Sequence, residues 1–167
     1  CLGWCTYNGD HMSMYAVNVS IPKTLVKYLV SYYAETESSD ERRNIINDIL
    51  ETPVSPELLP PSDKDEILQQ TESIVGPYIL HDFYIYHFLR YGASPEKIKY
   101  LAEHAFEGSF SKEEIDKWLN FFIKRFFSQQ FKRSCIPDGP KVGTISISPR
   151  GDLRMPSDAS SEMWTLK

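Results

Sequence analysis

Positive charge is concentrated between Phe131 and Arg154, although the chain as a whole has a formal net charge of -5. This stretch carries two carboxylates and five cations, which are Lys132, Arg133, Lys141, Arg150 and Arg154. A guanidinium group binds phosphate or carboxylate oxygens as a planar fork, and an ammonium group binds them as a point charge. The stretch therefore predicts an anion-binding segment, and the alternative is ordinary solvated surface charge.

Two other places have polar side chains at positions suited to ligand contact. Thr6 precedes, and Asp10 ends, an Asn-Gly-Asp turn that follows a short apolar stretch. Open α/β sheets bind ligands at such positions, although the pattern is also that of a simple turn. Lys23 lies in the first turn of a predicted helix, where a cation is unfavourable. Either an anionic partner or simple exposure at a small energetic cost explains this lysine.

The sequence lacks the common catalytic motifs. It contains no Gly-x-Ser-x-Gly, no His-Glu-x-x-His, no Walker lysine loop and no Gly-x-Gly-x-x-Gly. Cys1, Cys5 and Cys135 form no CxxC pair, and we interpret them as packing thiols. His81 and His87 are predicted to be core-edge residues rather than ligands. We therefore expect no metal site and no complete enzyme in these residues alone.

Length and composition predict one globular domain. The chain has 167 residues, 41% of them hydrophobic, and its pI near 5.4 argues against a general nucleic-acid binder. Its apolar runs are shorter than the roughly 20 residues that span a bilayer, so we expect a cytoplasmic protein without membrane contact. Because the chain opens without methionine at an apolar stretch, we also expect a fragment of a longer protein.

Hydrophobic periodicity predicts the elements that position these residues. Residues 2–7 are predicted as a short buried strand, and Pro22 as the first residue of a helix that ends near Ala34. A capping box at Ser38 predicts the next helix, which ends before Pro53. Four prolines within residues 53–61 predict a loop of about 20 residues, which is either a functional lid or disordered.

Three more helices follow in the second half of the sequence. The first runs from Gly76-Pro77 to Gly92 and is apolar around most of its circumference. The second begins at Ser94-Pro95, and the third begins at a capping box on Ser111 and runs toward Lys132. Cations are favourable at a helix C-terminus, so Lys132 and Arg133 also have a structural explanation. Residues 141–147 alternate as a short strand would.

The order of motifs resembles the synthetase domain of glutamine-dependent NAD+ synthetases. The likeness covers nearly the whole chain. Its motifs are Leu2-Gly3-Trp4-Cys5-Thr6-Tyr7, Gly9-Asp10, Pro22-Lys23-Thr24, Ser55-Pro56-Glu57-Leu58, Gln70-Thr71-Glu72, Val75-Gly76-Pro77-Tyr78, Phe131-Lys132-Arg133-Ser134 and Ser148-Pro149-Arg150-Gly151-Asp152.

The resemblance implies a fold and a reaction. Residues 1–167 would be the mostly helical C-terminal portion of an α/β domain, doubly wound and similar to adenine-nucleotide α-hydrolases (N-type ATP pyrophosphatases). Residues 133–167 would be its extended, basic, Pro/Gly-rich tail. The full-length enzyme would be a ligase that uses ATP and Mg2+ to adenylate the carboxylate of deamido-NAD+. Ammonia derived from glutamine would then displace AMP and give NAD+.

The resemblance also implies site residues. Trp4, Cys5, Thr6, Tyr7 and Asp10 would contact deamido-NAD+, and Thr6 would also lie near ATP. Lys23 would reach a nucleotide phosphate. Lys132 would be the catalytic residue and would contact both deamido-NAD+ and the developing adenylate. Ser55 and Glu57 would lie in a loop over the nucleotides, and Arg150, Asp152 and Arg154 would contact either a ligand or a neighbouring domain.

Departures from the family pattern limit what this chain can do alone. The Ser-Gly-Gly-x-Asp-Ser pyrophosphate loop and the glutaminase domain are absent from the sequence. We therefore expect an inactive fragment without bound cofactor or metal, whose partners are the glutaminase domain of the same protein and further copies of itself. The alternative is a helical interaction module whose basic tail binds an acidic partner.

Overall fold

The structure, a computed structural model, describes residues 2, 3, 5, 7, 9, 12–37, 39–52 and 71–166. The chain divides into two compact units, residues 80–167 with residues 1–21, and residues 22–79. Seven helices are formed by the described residues, and none of these residues lies in a strand. The prediction of a mostly helical chain is therefore confirmed, while the larger α/β domain stays a prediction.

The smaller unit contains two helices that pack against each other, α1 (Lys23–Thr36) and α2 (Asp40–Glu51), and a short α3 (Thr71–Val75). Pro22 is the N-cap of α1 rather than its first residue. The N-cap of α2 is Ser39, whose hydroxyl accepts from the backbone N–H of Arg42. The predicted cap, Ser38, lies outside the described residues, as do residues 53–70 of the predicted long loop. Its last part is not loop, because α3 begins at Thr71.

The larger unit is built on four helices: α4 (Tyr78–Tyr91, whose first turn begins in the smaller unit), α5 (Pro95–Ala105), α6 (Lys112–Ser128) and α7 (Gln130–Ser134). α6 has the predicted capping box, since the Ser111 hydroxyl accepts from the Glu114 N–H and the Glu114 carboxylate accepts from the Ser111 N–H. α5 begins at the predicted Ser94 cap. These local signals set the start of both helices as the sequence indicated.

One aromatic-rich core holds the larger unit together. It buries side chains from α4, α5 and α6 at helical spacing, and the largest of them are Tyr84, Phe122, Phe126, Leu80, Ile98, Ile115 and Leu119. His81 lies within this core against the rings of Tyr84 and Phe122, deeper than the predicted core edge. The core fixes the C-terminal half of α6, and therefore the position of α7.

The two predicted strands are not formed by the described residues. Residues 2, 3, 5 and 7 have no strand pairing, and neither do residues 141–147. The backbone donors of the second stretch bind side chains instead: Val142 N–H donates to Ser20 Oγ and Ser146 N–H donates to Asp152 Oδ2. Alternation predicted a strand there, but a strand needs a neighbouring strand to satisfy its backbone groups.

Residues 135–166 lie along the larger unit without helix or strand. Leu153 is buried in the core, and the Trp164 ring packs 5.2 Å from the ring of Phe88. The Leu166 N–H donates to Asn120 Oδ1 on α6. Side-chain packing therefore holds this irregular segment in place on the helices.

Candidate functional site

Lys132 lies in α7 and binds the backbone of the N-terminal segment. Its ammonium nitrogen donates to the carbonyl oxygen of Gly3 at 2.8 Å and to that of Cys5 at 2.6 Å. The two stretches are separated by 127 positions along the chain at the Cys5 contact. The fold therefore joins the closing Lys-Arg motif to the segment that the resemblance assigns to the dinucleotide.

An exposed aromatic pair lies beside this ammonium group. The rings of Tyr7 and Phe131 are 5.7 Å apart and tilted by 38°. Tyr7 is 50% exposed and Phe131 is 43% exposed, and the Lys132 ammonium is 6.0 Å from the centre of the Phe131 ring. Aromatic faces next to a cation suit a ligand that has a flat ring and an anionic group.

Arg133, the neighbour of Lys132, points into the larger unit and is only 3% exposed. Its guanidinium lies 4.1 Å from the centre of the Phe126 ring, and it donates to Gln130 Oε1 at 3.0 Å and to the Phe126 carbonyl. Burial lowers the pKa of Arg133 to about 10, so the side chain still carries its charge at neutral pH. Arg133 therefore anchors α7, and its neighbour Lys132 contacts the N-terminal segment.

The predicted site residues fall into three groups. Cys5, Tyr7 and Lys132 lie together, and Cys5 is exposed. Lys23 is the first residue of α1 in the smaller unit, where its ammonium is 5.9 Å from the centre of the Tyr78 ring. The remaining members, Trp4, Thr6 and Asp10, lie outside the described residues, as do the loop residues Ser55 and Glu57.

Sequence reasoning missed Arg125, although this residue contacts the same segment. Arg125 is half-buried near the end of α6, and its guanidinium donates to the carbonyl oxygens of Leu2 and Gly3. The sequence signal for Arg125 is its position seven residues before Lys132, because residues two helical turns apart lie on the same side of a helix. The apolar stripe of the helix predicts only its buried face, and Arg125 lies beside that stripe.

Several cations of the tail pair with carboxylates of the same tail. The Lys141 ammonium lies 2.7 Å from Asp152 Oδ2, and the Arg150 guanidinium contacts Asp138 Oδ1. The Lys141 ammonium holds the pKa of Asp152 below its usual range, because it donates a hydrogen bond to the carboxylate. These pairs account for Lys141 and Arg150 as structural charges. With Arg133 buried, the cations of the stretch that are left for an anionic ligand are Lys132 and Arg154. The Arg154 guanidinium donates to the Arg150 carbonyl.

The described residues do not form a donor set for a metal ion. No group of three His, Cys, Asp or Glu side chains in this part of the chain is arranged to hold one. Within the same residues, no helix has the length and apolar character required to cross a membrane.

The known proteins that this chain matches all have the same name. The chain is 43% identical to a glutamine-dependent NAD(+) synthetase of Mycobacterium leprae and 41% identical to proteins of the same name from Mycobacterium tuberculosis and Mycobacterium bovis. Each match covers 98% of this chain, and the chain spans 27% of the length of each relative. No family model matches the chain. The resemblance to glutamine-dependent NAD(+) synthetases predicted from the motifs is therefore confirmed over nearly the whole of this chain.

Proposed function

We propose that this chain is part of a ligase that makes NAD+ from deamido-NAD+, with ATP and glutamine-derived ammonia as co-substrates. The observation that carries the proposal is the contact of the Lys132 ammonium with the carbonyl oxygens of Gly3 and Cys5. This contact joins the two stretches that the family resemblance independently links to the dinucleotide. The names of the mycobacterial relatives support the same reaction.

The reaction has two steps. A carboxylate oxygen of the nicotinate group attacks the α-phosphorus of ATP, which forms an acyl adenylate and releases pyrophosphate. Ammonia then attacks the acyl carbon, the bond from that carbon to the AMP oxygen breaks, and the nitrogen loses a proton. Negative charge increases on carboxyl and phosphoryl oxygens along this path, and a fixed cation stabilises it. Lys132 is the residue that we propose for this role.

The aromatic pair beside Lys132 supports binding of a flat heterocycle. A ring that stacks on Tyr7 or Phe131 would place an attached carboxylate near the Lys132 ammonium, since that ammonium is 6.0 Å from the Phe131 ring centre. Base stacking on an aromatic side chain contributes roughly 1–3 kcal/mol in single-stranded nucleic-acid complexes. The nicotinate end of the dinucleotide is therefore the part that we assign to this surface.

The other assignments of the resemblance are part of the same proposal. Trp4, Cys5, Thr6 and Asp10 contact the dinucleotide, while Thr6 and Lys23 contact ATP. The chain alone is inactive, because the pyrophosphate loop of the family pattern is not in its sequence. ATP, Mg2+ and a glutaminase domain of the same protein complete the enzyme.

The test compares Lys132→Ala with Lys124→Ala in the enzyme that contains this chain. Lys124 lies on α6 and is exposed, and its substitution by alanine removes the same charge as Lys132→Ala. Loss of a hydrogen bond to a charged group costs about 1.5–3 kcal/mol, so we expect Lys132→Ala to slow NAD+ formation by at least about tenfold. Glutamine hydrolysis is measured in parallel and should change far less.

Calorimetry on this chain tests binding directly. Deamido-NAD+ has a carboxylate where NAD+ has a neutral amide, so Lys132→Ala should weaken binding of the first ligand more than binding of the second. An equal loss in both half-reactions, or NAD+ formation that is unchanged in Lys132→Ala, would give Lys132 a structural role only. Unchanged NAD+ formation would mean that the contact of Lys132 with the N-terminal segment has no part in the reaction, and the proposal would lose its main support.

A further inference from the structure

Two cations from the α6–α7 junction hold the backbone of the N-terminal segment. The Arg125 guanidinium donates from Nε and Nη2 to the carbonyl oxygen of Leu2 at 3.2 and 3.1 Å, and from Nη2 to that of Gly3 at 3.4 Å. Lys132 donates to the carbonyl oxygens of Gly3 and Cys5. The carbonyl of Gly3 is thus shared by both side chains, which couples the position of Lys132 to that of Arg125.

Gly3 also packs directly on this junction. Its φ of +61° is in the left-handed region, and a Cβ atom at this position would lie 2.6 Å from the Cβ atom of Gln129. Gln129 is the residue between the two helices, four positions after Arg125 and three before Lys132. These spacings place all three side chains along one side of a helical path. Hydrogen bonding and close packing therefore fix the same short segment.

The geometry points to Arg125 as a positioning residue for the deamido-NAD+ site, an inference that rests on the proposed function. Arg125 holds Leu2 and Gly3, and the Gly3 and Cys5 carbonyls then orient the Lys132 ammonium. An ammonium group has three N–H donors. Two of them bind these carbonyls, and the third remains for an anionic oxygen of the ligand.

This arrangement changes the role expected of Lys132. A free lysine is a mobile charge on a flexible stem, and ordering it on binding costs conformational entropy. Two carbonyl contacts made in advance reduce that cost, because the stem is already ordered before the ligand arrives. Arg125 acts through Lys132 and the segment, without contact with the ligand.

The experiment uses Arg125→Ala, Arg125→Lys and the Lys124→Ala control in the enzyme that contains this chain. A lysine keeps the charge but cannot form the fork to two neighbouring carbonyls. We expect both Arg125 variants to raise the KM for deamido-NAD+ by about ten- to a hundredfold. The same variants should leave the KM for glutamine and the circular dichroism spectrum unchanged.

A second readout does not depend on the reaction. Amine labelling followed by mass spectrometry measures the reactivity of individual lysines, and Lys132 should become more reactive in both Arg125 variants while Lys124 does not. Gly3→Ala should also make Lys132 more reactive, because the substitution displaces the N-terminal segment that Arg125 and Lys132 hold. Gln129→Gly combined with Gly3→Ala should restore part of the loss, because it removes the Cβ atom that a new methyl group would meet.

The outcomes separate this inference from the proposed function. Unchanged Lys132 labelling in Arg125→Ala, or increased labelling with an unchanged KM for deamido-NAD+, would overturn the positioning role. The proposed function would survive either result if Lys132→Ala still slows NAD+ formation. If Lys132→Ala has no effect on NAD+ formation, the proposed function fails and the positioning role fails with it.

Discussion

Adjacent residues of α7 have opposite surroundings and therefore different roles. Lys132 reaches the carbonyls of the N-terminal segment, while Arg133 is buried over the Phe126 ring. Successive residues of a helix point about 100° apart, so one of two neighbouring cations faces the core when the other faces away. Lys132 is thus the candidate for ligand contact, and Arg133 anchors α7 in the core. Substitutions that remove the charge should affect the reaction at Lys132 and the stability of the fold at Arg133.

The hydroxyl of Tyr84 gives a prediction for alkaline pH. It donates to the Ile115 carbonyl at 3.1 Å inside the core, and burial raises the pKa of Tyr84 above its usual value, with a smaller contribution from Asp116. The unfolded chain ionises this group near pH 10 and the folded chain does not, so stability is present below pH 10 and is lost as pH rises. This effect removes roughly 1 kcal/mol of unfolding free energy by pH 11.

Tyr84→Phe tests this loss by urea unfolding between pH 8 and pH 11. At pH 8 the variant should be about 1 kcal/mol less stable, because it lacks the hydrogen bond. The difference should disappear by pH 11, since phenylalanine does not titrate. Tyr100→Phe, at an exposed position, is the control. A Tyr84→Phe difference that stays constant over this range would contradict the assignment.

At the scale of elements, local signals predicted helices well and long-range contacts poorly. The Ser94 and Ser111 caps and the apolar stripe of α6 are contained within a few neighbouring residues, and the structure has all of them. The strand predicted over residues 141–147 failed because a strand depends on a partner that its own sequence does not specify. The Arg125 contacts reach 123 positions back to Leu2, and the seven-residue spacing between Arg125 and Lys132 does not indicate that partner.

The α6 capping box provides a prediction for the stability of an element. Ser111→Ala removes the hydroxyl that accepts from the Glu114 N–H at 3.1 Å, and such caps contribute about 1 kcal/mol. Denaturant unfolding should show a loss of this size, with Ser109→Ala, an exposed serine outside the cap, as the control. Equal stability of the two variants would mean that the core, and not the cap, determines where α6 begins.

At the scale of the whole molecule, α1 presents an exposed face that is rich in large apolar side chains. Tyr28 and Tyr32, one helical turn apart, are 72% and 66% exposed, and Leu29 and Tyr33 lie beside them with much of their surface in water. Large exposed apolar patches mark interaction sites in soluble proteins. That a second copy of this chain covers this face stays a prediction, which follows from the expectation that the chain associates with itself.

Sedimentation velocity measures that association. The chain should sediment as an oligomer, and the double variant Tyr28→Ser/Tyr32→Ser should shift toward the monomer at micromolar concentration. Tyr100→Ser, which removes an exposed tyrosine from α5, should leave the distribution unchanged. A monomeric parent chain, or an oligomer that the double variant does not weaken, would show that α1 is not the interface.

The contacts of the N-terminal segment also determine when the candidate site can form during synthesis. The carbonyl of Leu2 accepts a hydrogen bond from Arg125, which lies 123 positions later in the chain. The hydroxyl of Ser20 donates to the carbonyl of Pro140, 120 positions later. At translation rates of about 5–20 residues per second, the ribosome needs about 6–25 seconds to supply these partners. The N-terminal segment therefore remains undocked until the end of α6 and α7 have been made, and the candidate site forms only after these residues have left the ribosome.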